Sequence, residues 1–555
     1  MAFAWVLIGV LAVHLVMALR FWWVTDDAYI SFRFARNLAL GHGPRFNVWE
    51  AAPVEGYSNF LWVAIGAAIH AVGADMEAWT PVLSYVSGAA LLAVFLHRLV
   101  AFFQIALPIA AIVSLGLALY PPFAVWSTSG LATMPFAWLL FLTFDRFLLV
   151  PVLADRPVPW ISGGLSAAGL SLLRTEGLAW VGVVLLLAIF ARLVERRRGY
   201  RGLFLAFGMA VVVSGAHLLW RHAYYGEWLP NTYYAKSVHG PTFIQRGYHY
   251  VAAHWLTFLT PFVLLPGAFF ALRAKRRGIG ASAWLLAVAF PAYAIVVSGD
   301  YMPMGRFLVP GFAFTFLVLA WILDDLAGGR SGRTIVASGV GVLVVVAGAL
   351  PGWDAHVLPE EARSWSNYRF GNPQKYDSEH RRWVALGSKV ELWRKRGREL
   401  NAFARQELQE PVSIVAQTLG AIGYETDFLI YDCAGLVVPE IARREVTEWH
   451  GQPGHDKAVE GDYFLEENPT ILRFAAVKQE GSIEFNVRQR LTRWDRPSIR
   501  QNYRPKLVRL SSRDEASLLL VLLHADSTED GSSSVREAWQ ASRICDPDAI
   551  IEVSL

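Results

Sequence analysis

The chain has 555 residues, of which 54% are hydrophobic and only 17% are charged. Soluble domains contain about 25% charged residues, so this composition indicates a polytopic membrane protein and excludes an ordinary soluble enzyme. The formal net charge of +4 is small for this length, and it points to neither a nucleic-acid partner nor a strongly acidic one.

Apolar segments of the length that crosses a bilayer, which is about 20 residues, recur up to residue 351 and then stop. We predict eleven spans, at residues 3–23, 81–100, 104–120, 131–150, 158–174, 177–192, 202–221, 254–272, 281–298, 307–324 and 334–351. No small-residue cleavage site follows the first span, so we expect it to be retained. The shorter apolar segment 60–72 is predicted to be a helix lying on the outer surface.

Basic residues set the predicted orientation, because short cytoplasmic loops collect them. They cluster at residues 97–98, 192–201, 273–277 and 330–333, which all lie on one side of the membrane if the N-terminus is cytoplasmic. The outward segments are then residues 24–80, 121–130, the turn near 175, 222–253, 299–306 and the whole tail after 351. These outward segments hold most of the unusual polar residues next to the membrane, so we expect the active site on the outer face.

Residues 352–555 have a charged, mixed composition and are predicted to form a soluble domain, separate from a transmembrane domain at 1–351. Apolar segments at 412–416 and 428–431 predict buried strands on either side of a short helix, and 517–524 predicts another, so we expect α/β or α+β packing. The two cysteines of the sequence, Cys433 and Cys545, both lie in this tail. An oxidising compartment would permit a disulfide between them without requiring it.

The first outward segment begins with two adjacent carboxylates, Asp26 and Asp27. A membrane-bound transferase would keep the base that activates its acceptor in such a place. Aspartate at the start of a helix is also an ordinary capping residue, but one carboxylate suffices for a cap. Because Asp27 is nearer the predicted helix start and is the better cap, we favour Asp26 as the base.

The residues after Asp27 predict an amphipathic helix whose polar face carries Arg33 and Arg36. Guanidinium groups form bidentate hydrogen bonds with phosphate oxygens, so this face would suit a lipid-linked phosphate. The other interpretation is a face that contacts solvent or lipid headgroups.

Three later outward segments also place polar residues next to the membrane. They are 172–178 with Arg174 and Glu176, 224–237 with Asn231 and Lys236, and 298–307 with Asp300 and Arg306. Each has a structural interpretation as well, namely an ion pair, an interfacial aromatic belt and an ordinary loop pair, respectively. Arginine in lipid costs roughly 2.5–3.5 kcal/mol by insertion scales, so the first pair is expected to be an ion pair or to face a cavity.

Sequence motifs in these segments resemble those of a known family. The motifs are DDAYISFR at 26–33, NLALGHGPRFN at 37–47, VEGYSN at 54–59, LRTEG at 173–177, GDYM at 299–302 and, in the tail, GAIGY at 420–424. They are similar to motifs of bacterial glycosyltransferases of the GT-C type. The resemblance is closest to the group that includes the terminal arabinofuranosyltransferases of mycobacterial cell walls.

The resemblance implies a transferase that moves a sugar from a polyprenyl-phosphate donor to a hydroxyl of a cell-envelope glycan, lipid or protein. It implies that either Asp26 or Asp27 is the catalytic carboxylate, and that Arg174, Lys236 and Arg306 hold the donor phosphate. The further candidates for substrate binding are Arg33, Arg36, His42, Glu55, Asn59, Glu176, Asn231 and Asp300. The protein would lie in the inner (plasma) membrane of a bacterium, with the active site and the tail on the periplasmic side.

The sequence does not decide which sugar is transferred or whether the protein uses a metal ion. The resemblance makes arabinofuranose the first expectation for the sugar. This chain departs from the family pattern with GYSN after Glu55 and with Ala132 where many relatives have glutamate, so a mannosyl, other pentosyl or modified hexosyl group is the alternative. Asp26, Asp27 and His42 could supply ligands to a divalent cation, although the sequence has no Cys/His set with metal-site spacing.

Two functions from other classes fit the same composition. A polytopic transporter or flippase of lipid-linked sugars would also have many spans and charged membrane residues, but we find no convincing internal repeat of the kind such proteins show. An export or assembly scaffold without chemistry is the third possibility. It predicts that neutral replacements at Asp26 and Asp27 leave function intact.

Overall fold

The computed structural model describes residues 1–50, 52–153, 157–273, 277–364, 377–446, 452–477, 479, 481–511, 516–527 and 538–554. Eight of its helices are long and apolar enough to cross a membrane: Ala2–Arg20, Met76–Phe102, Thr133–Val152, Gly177–Val194, Arg201–Tyr225, Arg277–Val296, Arg306–Ala327 and Ser331–Trp353. A pair of helices, Pro241–Phe258 and Phe262–Arg273, is bent by 89° and makes a ninth span if the pair is counted as one. The polytopic helical architecture is therefore confirmed for the described residues.

The predicted count of eleven spans is not confirmed. The expected spans at 104–120 and 158–174 correspond to the helices Leu107–Leu119 and Trp160–Leu173, of 13 and 14 residues. Both are short of the roughly 20 residues that a straight span needs. The predicted helix at 60–72 is present as Phe60–Ala71, and its place on the outer surface stays a prediction.

The chain contains further helices besides these spans, and the longest of them, Glu379–Glu407, has 29 residues. They are Asp26–Ala39, Phe60–Ala71, Leu107–Leu119, Pro121–Trp126, Trp160–Leu173, Asn231–Lys236, Glu360–Ser364, Glu379–Glu407, Gly420–Glu425, Pro439–Ala442, Ile483–Trp494, Pro497–Asn502 and Ala541–Ile544.

The tail contains a mixed six-stranded sheet. Its strands are β1 (Ser413–Ala416), β2 (Leu429–Asp432), β3 (Ile471–Val477), β4 (Tyr503–Ser511), β5 (Ala516–His524) and β6 (Ile551–Ser554), in the spatial order β2-β1-β3-β5-β4-β6. Strand β1 is parallel to β2 and β3, β5 is antiparallel to β3 and β4, and β6 is parallel to β4. The predicted strands β1, β2 and β5 and the short helix between β1 and β2 are thus confirmed.

Strand β5 is buried on both faces, which explains its unbroken apolar sequence. Leu519, Val521 and Leu523 belong to the same core as residues of the helix Glu379–Glu407. The alternate residues Leu518, Leu520 and Leu522 instead join a second core with the helix Ile483–Trp494. The sheet therefore lies between two layers of helices.

The helix Asp26–Ala39, which we call the first-loop helix, lies between the helix Phe60–Ala71 and the tail helix Gly420–Glu425. Thr25 is its N-cap residue and both aspartates lie in its first turn, where negative charge suits the helix dipole. Its arginine face is directed at the tail rather than at lipid. Arg33 is buried and donates hydrogen bonds to the carbonyl oxygens of Phe46, Gly423 and Phe428, at 2.9, 2.7 and 2.6 Å.

Gly420 lies against the start of the first-loop helix. A Cβ atom at this position would be 2.0 Å from the backbone oxygen of Asp26, so only glycine fits without a shift of the backbone. The tail is therefore packed directly onto the chain segment that carries the two carboxylates.

The cysteines make no cross-link. Cys433 is buried and Cys545 is partly buried, and both are free thiols. The disulfide that the sequence would allow is not formed.

We predict that Arg33→Met destabilises the contact between the tail and the first-loop helix. The substitution removes three hydrogen bonds from a buried guanidinium, and hydrogen bonds to charged groups contribute about 1.5–3 kcal/mol each. We expect a lower midpoint of thermal unfolding in detergent than for the wild type.

Arg36→Met is the matched control, because Arg36 is partly exposed and binds the carbonyl oxygen of Tyr424 and the exposed carboxylate of Asp427. Exposed pairs of this kind contribute only about 0–1 kcal/mol. Equal unfolding midpoints for the two variants would contradict the structural role of Arg33.

Candidate functional site

A cavity of about 580 Å³ lies where loops of the membrane part meet the tail. Its charged and polar lining residues include Asp27, Asn59, Arg174, Glu176, Lys236, Asp300, Tyr301, Arg306 and His455. Apolar side chains, among them Ile30, Leu131, Leu173 and Val296, form another part of its wall. This combination of an apolar wall with a few convergent polar groups is typical of a ligand site.

Asp27 is the carboxylate at the centre of this polar group. Its Oδ1 accepts a hydrogen bond from the hydroxyl of Tyr301 at 3.2 Å, and its Oδ2 lies 3.3 Å from Nη1 of Arg306 and 3.9 Å from Nζ of Lys236. Burial alone would raise the pKa of Asp27, but the positive charges of Lys236 and Arg306 outweigh it and hold the pKa below its ordinary value. Asp27 is therefore ionised at neutral pH.

Arg306 is held between two carboxylates. Its Nε lies 2.6 Å from Oδ2 of Asp300, in addition to its contact with Asp27. The preceding residue, Gly305, has φ = +61°, and a Cβ there would lie 2.5 Å from Nδ1 of His254. The tight turn that aims Arg306 into the cavity thus requires glycine.

Arg174 and Glu176 form an ion pair in the turn between two apolar helices, as expected from the cost of arginine in lipid. The Arg174 Nε and Glu176 Oε1 atoms are 2.5 Å apart, and the hydroxyl of Tyr293 donates to the same carboxylate oxygen at 3.0 Å. The guanidinium lies 5.6 Å from the ring centroid of Phe307. Both members of the pair also line the cavity. The ion pair therefore does not exclude a role in substrate binding, which stays a prediction.

Lys236 is the most accessible of the three cations, with 40% of its side chain exposed, against 24% for Arg174 and 9% for Arg306. It is the last residue of the helix Asn231–Lys236. Among the residues that the structure describes, Asp27 is its only ion-pair partner, at 3.9 Å. The charge of Lys236 is thus the least neutralised of the three.

Asp26 points away from the cavity. Its Oδ1 accepts a hydrogen bond from the backbone N–H of Ala421 at 2.7 Å, and its Oδ2 accepts one from Gly420 at 3.3 Å. Burial raises the pKa of Asp26 to about 7, although these two N–H donors favour the ionised form. The geometry does not support our choice of Asp26 over Asp27 as the base, because Asp26 instead joins the first-loop helix to the tail.

The first-loop arginines and His42 are also outside the cavity. The guanidinium of Arg33 is occupied by three backbone carbonyls, and that of Arg36 by a carbonyl and Asp427. His42 is exposed and does not line the cavity. The structure does not bring these three residues to the cavity, because the tail covers the arginine face of the helix and His42 lies in the loop after the end of the helix.

Glu55 and Asn231 hold the walls of the site together from behind. The buried Glu55 pairs with Arg221 at 2.6 Å, and its backbone oxygen accepts a hydrogen bond from the N–H of Asn231. The side chain of Asn231 donates to the carbonyl oxygens of Gly435 and Leu436 at 2.9 Å each. Neither side chain lines the cavity. The sequence-based assignment of Glu55 and Asn231 to substrate binding is therefore corrected.

Asn59, in contrast, does line the cavity and donates a hydrogen bond to the hydroxyl of Ser31 at 3.1 Å. Two further residues of the site escaped the sequence analysis. Tyr301 is part of the GDYM motif. Its position directly after Asp300 could have identified it as a residue of the site. His455 comes from a loop of the tail, far from the other residues in sequence, and no local pattern could have identified it.

The three residues suggested as ligands of a divalent cation do not come together. Asp26 and Asp27 have different partners, and His42 is exposed. The part of the chain that the structure describes contains no group of three or more histidine, cysteine, aspartate or glutamate side chains that could hold a metal ion.

Sequence comparison relates the chain to two kinds of protein. Residues 388–516 match a domain of unknown function (DUF8728). The chain is 31% identical over 303 residues to a terminal β-(1→2)-arabinofuranosyltransferase of Mycobacterium tuberculosis, with 51% of this chain and 45% of that protein covered. The chain thus spans a little less than half the length of this curated relative.

Structural comparison finds crystal structures of ArnT from Cupriavidus metallidurans. The apo structure aligns with a TM-score of 0.57 and 15% identity, covering 96% of this chain and 100% of that chain. The structure bound to undecaprenyl phosphate aligns with a TM-score of 0.53 and 14% identity, covering 86% and 93%. The chain has the GT-C fold, and the resemblance seen in the sequence motifs is confirmed.

We predict that Lys236→Met raises the pKa of Asp27. Burial favours the protonated acid, and the substitution removes one of the cations that oppose it. The protonated carboxyl should therefore persist to a higher pH than in the wild type. Infrared spectroscopy can follow its C=O stretch, which Asp27→Asn identifies by removing it.

Lys389→Met is the control, because Lys389 is exposed on the helix Glu379–Glu407 and does not line the cavity. This variant should leave the titration of Asp27 at the wild-type pH. An unchanged titration in Lys236→Met would show that Lys236 does not set the charge of Asp27.

Proposed function

We propose that the protein is a membrane glycosyltransferase that moves a sugar from a polyprenyl-phosphate donor to a hydroxyl of a cell-envelope glycan, lipid or protein. The observation that carries this proposal is the cavity in which Asp27 lies within 4 Å of both Arg306 and Lys236. A carboxylate beside cations suits a reaction in which a hydroxyl loses its proton next to a phosphate leaving group.

The donor phosphate would be held by Lys236, Arg306 and Arg174. Lys236 is exposed and weakly paired, so it is available to an incoming anion without the loss of a short ion pair. The two arginines offer planar groups of N–H donors that match phosphate oxygens. The apolar wall of the cavity would accept the first part of the prenyl chain. The structure of ArnT with undecaprenyl phosphate supports a lipid of this class on the same fold.

In the transfer step, the acceptor oxygen attacks the anomeric carbon of the donor sugar. The bond from that carbon to the phosphate oxygen breaks, and its electron pair stays on the phosphate, whose charge the three cations stabilise. Asp27 takes the proton of the attacking hydroxyl as general base. The hydroxyl of Tyr301 orients the carboxylate of Asp27 by its hydrogen bond.

Arabinofuranose is the sugar we propose first, because the curated relative is named as an arabinofuranosyltransferase. A mannosyl, other pentosyl or modified hexosyl donor is the alternative. The 45% coverage of the relative leaves more than half of that protein without a counterpart in the alignment.

We place the cavity and the tail on the periplasmic side of a bacterial inner membrane. The support is the distribution of basic residues, which cluster in the connections opposite to the cavity-lining loops. The same assignment divides the chain into a transmembrane domain, 1–351, and a soluble domain, 352–555.

We predict that Asp27→Asn lowers the rate of sugar transfer by about 10²–10⁴-fold, the usual contribution of a general base. The assay supplies the purified protein with synthetic polyprenyl-phosphate sugars, including arabinofuranose and mannose, and with cell-envelope acceptors. The thermal unfolding midpoint should stay close to that of the wild type, since Asp27 is not part of the contact with the tail helix.

Asp427→Asn is the control for charge removal, because the Asp427 side chain is 72% exposed and lies outside the cavity. Wild-type transfer rates in Asp27→Asn would contradict the assignment of the base. Movement of a lipid-linked sugar across the bilayer without consumption of the donor would favour the transporter instead.

A further inference from the structure

Among the tail residues that the structure describes, His455 contributes the one polar side chain of the cavity lining. It lies in the loop 452–458, and Pro453 and Gly454 of the same loop also line the cavity. The loop belongs to none of the strands or helices of the tail. Its position therefore depends on contacts with neighbouring segments.

Two neighbours of His455 in the chain supply these contacts. Asp456 forms a bidentate ion pair with Arg246 at 2.7 and 2.9 Å, and both side chains are buried. Lys457 donates to the carbonyl oxygens of Tyr234 and Ala442 at 2.8 Å each. The attraction within a buried ion pair offsets the desolvation of its two charges only when the geometry is good, so this bidentate pair holds the loop in a defined position against the helix Pro241–Phe258.

The imidazole of His455 is connected to the proposed base, Asp27, through the side chain of Tyr301. Its ring packs edge-to-face on Tyr301, with the centroids 5.2 Å apart, and Tyr301 donates its hydroxyl hydrogen bond to Asp27. Among the described residues no side chain forms a hydrogen bond with the imidazole, and the backbone of Pro453 in the same loop acts on one of its nitrogens. The ring is thus fixed at the cavity wall, and its other nitrogen is left for a ligand.

The imidazole is neutral at pH 7, because burial and the nearby charge of Lys236 lower the pKa of His455 below its ordinary value. A neutral imidazole carries one N–H donor and one acceptor nitrogen. Such a group matches an uncharged hydroxyl rather than a phosphate. The cations that suit the phosphate come from the loops of the membrane part, on Arg174, Lys236 and Arg306.

We propose that His455 is an acceptor-binding residue, and that the acceptor is an uncharged saccharide that reaches the site from the side of the tail. This inference rests on the proposed transferase function. A hydrogen bond between the imidazole and an acceptor hydroxyl that neighbours the attacking one would hold the attacking oxygen beside Asp27. The proton of the attacking hydroxyl goes to Asp27, and His455 keeps its charge state throughout the transfer.

The test compares His455→Phe with His455→Asn. Phenylalanine keeps a ring against Tyr301 but cannot hydrogen-bond, whereas asparagine restores a donor and an acceptor. The assay uses the synthetic polyprenyl-phosphate sugar that the wild type consumes and a synthetic uncharged oligosaccharide acceptor. We expect His455→Phe to raise KM for the acceptor by about 10-fold, which is about 1.4 kcal/mol, and KM for the donor by less than about 2-fold. His455→Asn should recover part of the loss.

His222→Phe is the matched control, because His222 stacks on Trp228 with centroids 4.1 Å apart and does not line the cavity. An acceptor KM equal to that of the wild type in His455→Phe would overturn this inference and leave the transferase function standing. An equal rise in KM for donor and acceptor would also overturn it, since it would place His455 at the donor. Failure of the wild type to consume any donor would overturn the proposed function, and the acceptor site with it.

Discussion

The hydrogen bonds from the tail to Asp26 connect the fold of this protein to its candidate site. The carboxylate of Asp26 accepts hydrogen bonds from the backbone N–H groups of Gly420 and Ala421, at the start of a tail helix. Because consecutive residues of a helix point roughly 100° apart, a first-loop helix held by Asp26 must direct Asp27 elsewhere. In this structure Asp27 is directed into the cavity. The two adjacent carboxylates therefore have different tasks, one structural and one available to a ligand.

The charge balance of the cavity follows from the same arrangement. Asp27, Asp300 and Glu176 lie among Arg174, Lys236 and Arg306, so the site without ligand has as many carboxylates as cations. On the proposed function, a phosphate that enters this site competes with Asp27 for Lys236 and Arg306. Asp27 would then be a stronger base with the donor bound than without it, because the cations that lower its pKa are shared with the phosphate.

The sequence predicted the polytopic helical architecture, although not the number of spans, and part of the cavity lining. Apolar segment length and composition predicted the helical membrane part and the strands β1, β2 and β5, and the motifs led to Asp27, Arg174, Lys236 and Arg306 in the cavity. Local sequence could not show which way a side chain points once another segment covers its helix. Arg33 and Asp26 were misjudged for this reason, since their partners lie nearly 400 positions further along the chain. His455 was missed because only the packing of the tail brings its loop to the cavity.

The proposed function depends on the binding of a polyprenyl phosphate in the cavity around Asp27. A cryo-electron microscopy structure of the purified protein in lipid nanodiscs with a non-transferable polyprenyl-phosphate sugar tests this binding most directly. We expect phosphate density in contact with Lys236, Arg306 and Arg174, the sugar beside Asp27, and the prenyl chain along the apolar wall. Phosphate density outside this cavity, with the Asp27 contacts to Arg306 and Tyr301 unchanged, would contradict this expectation.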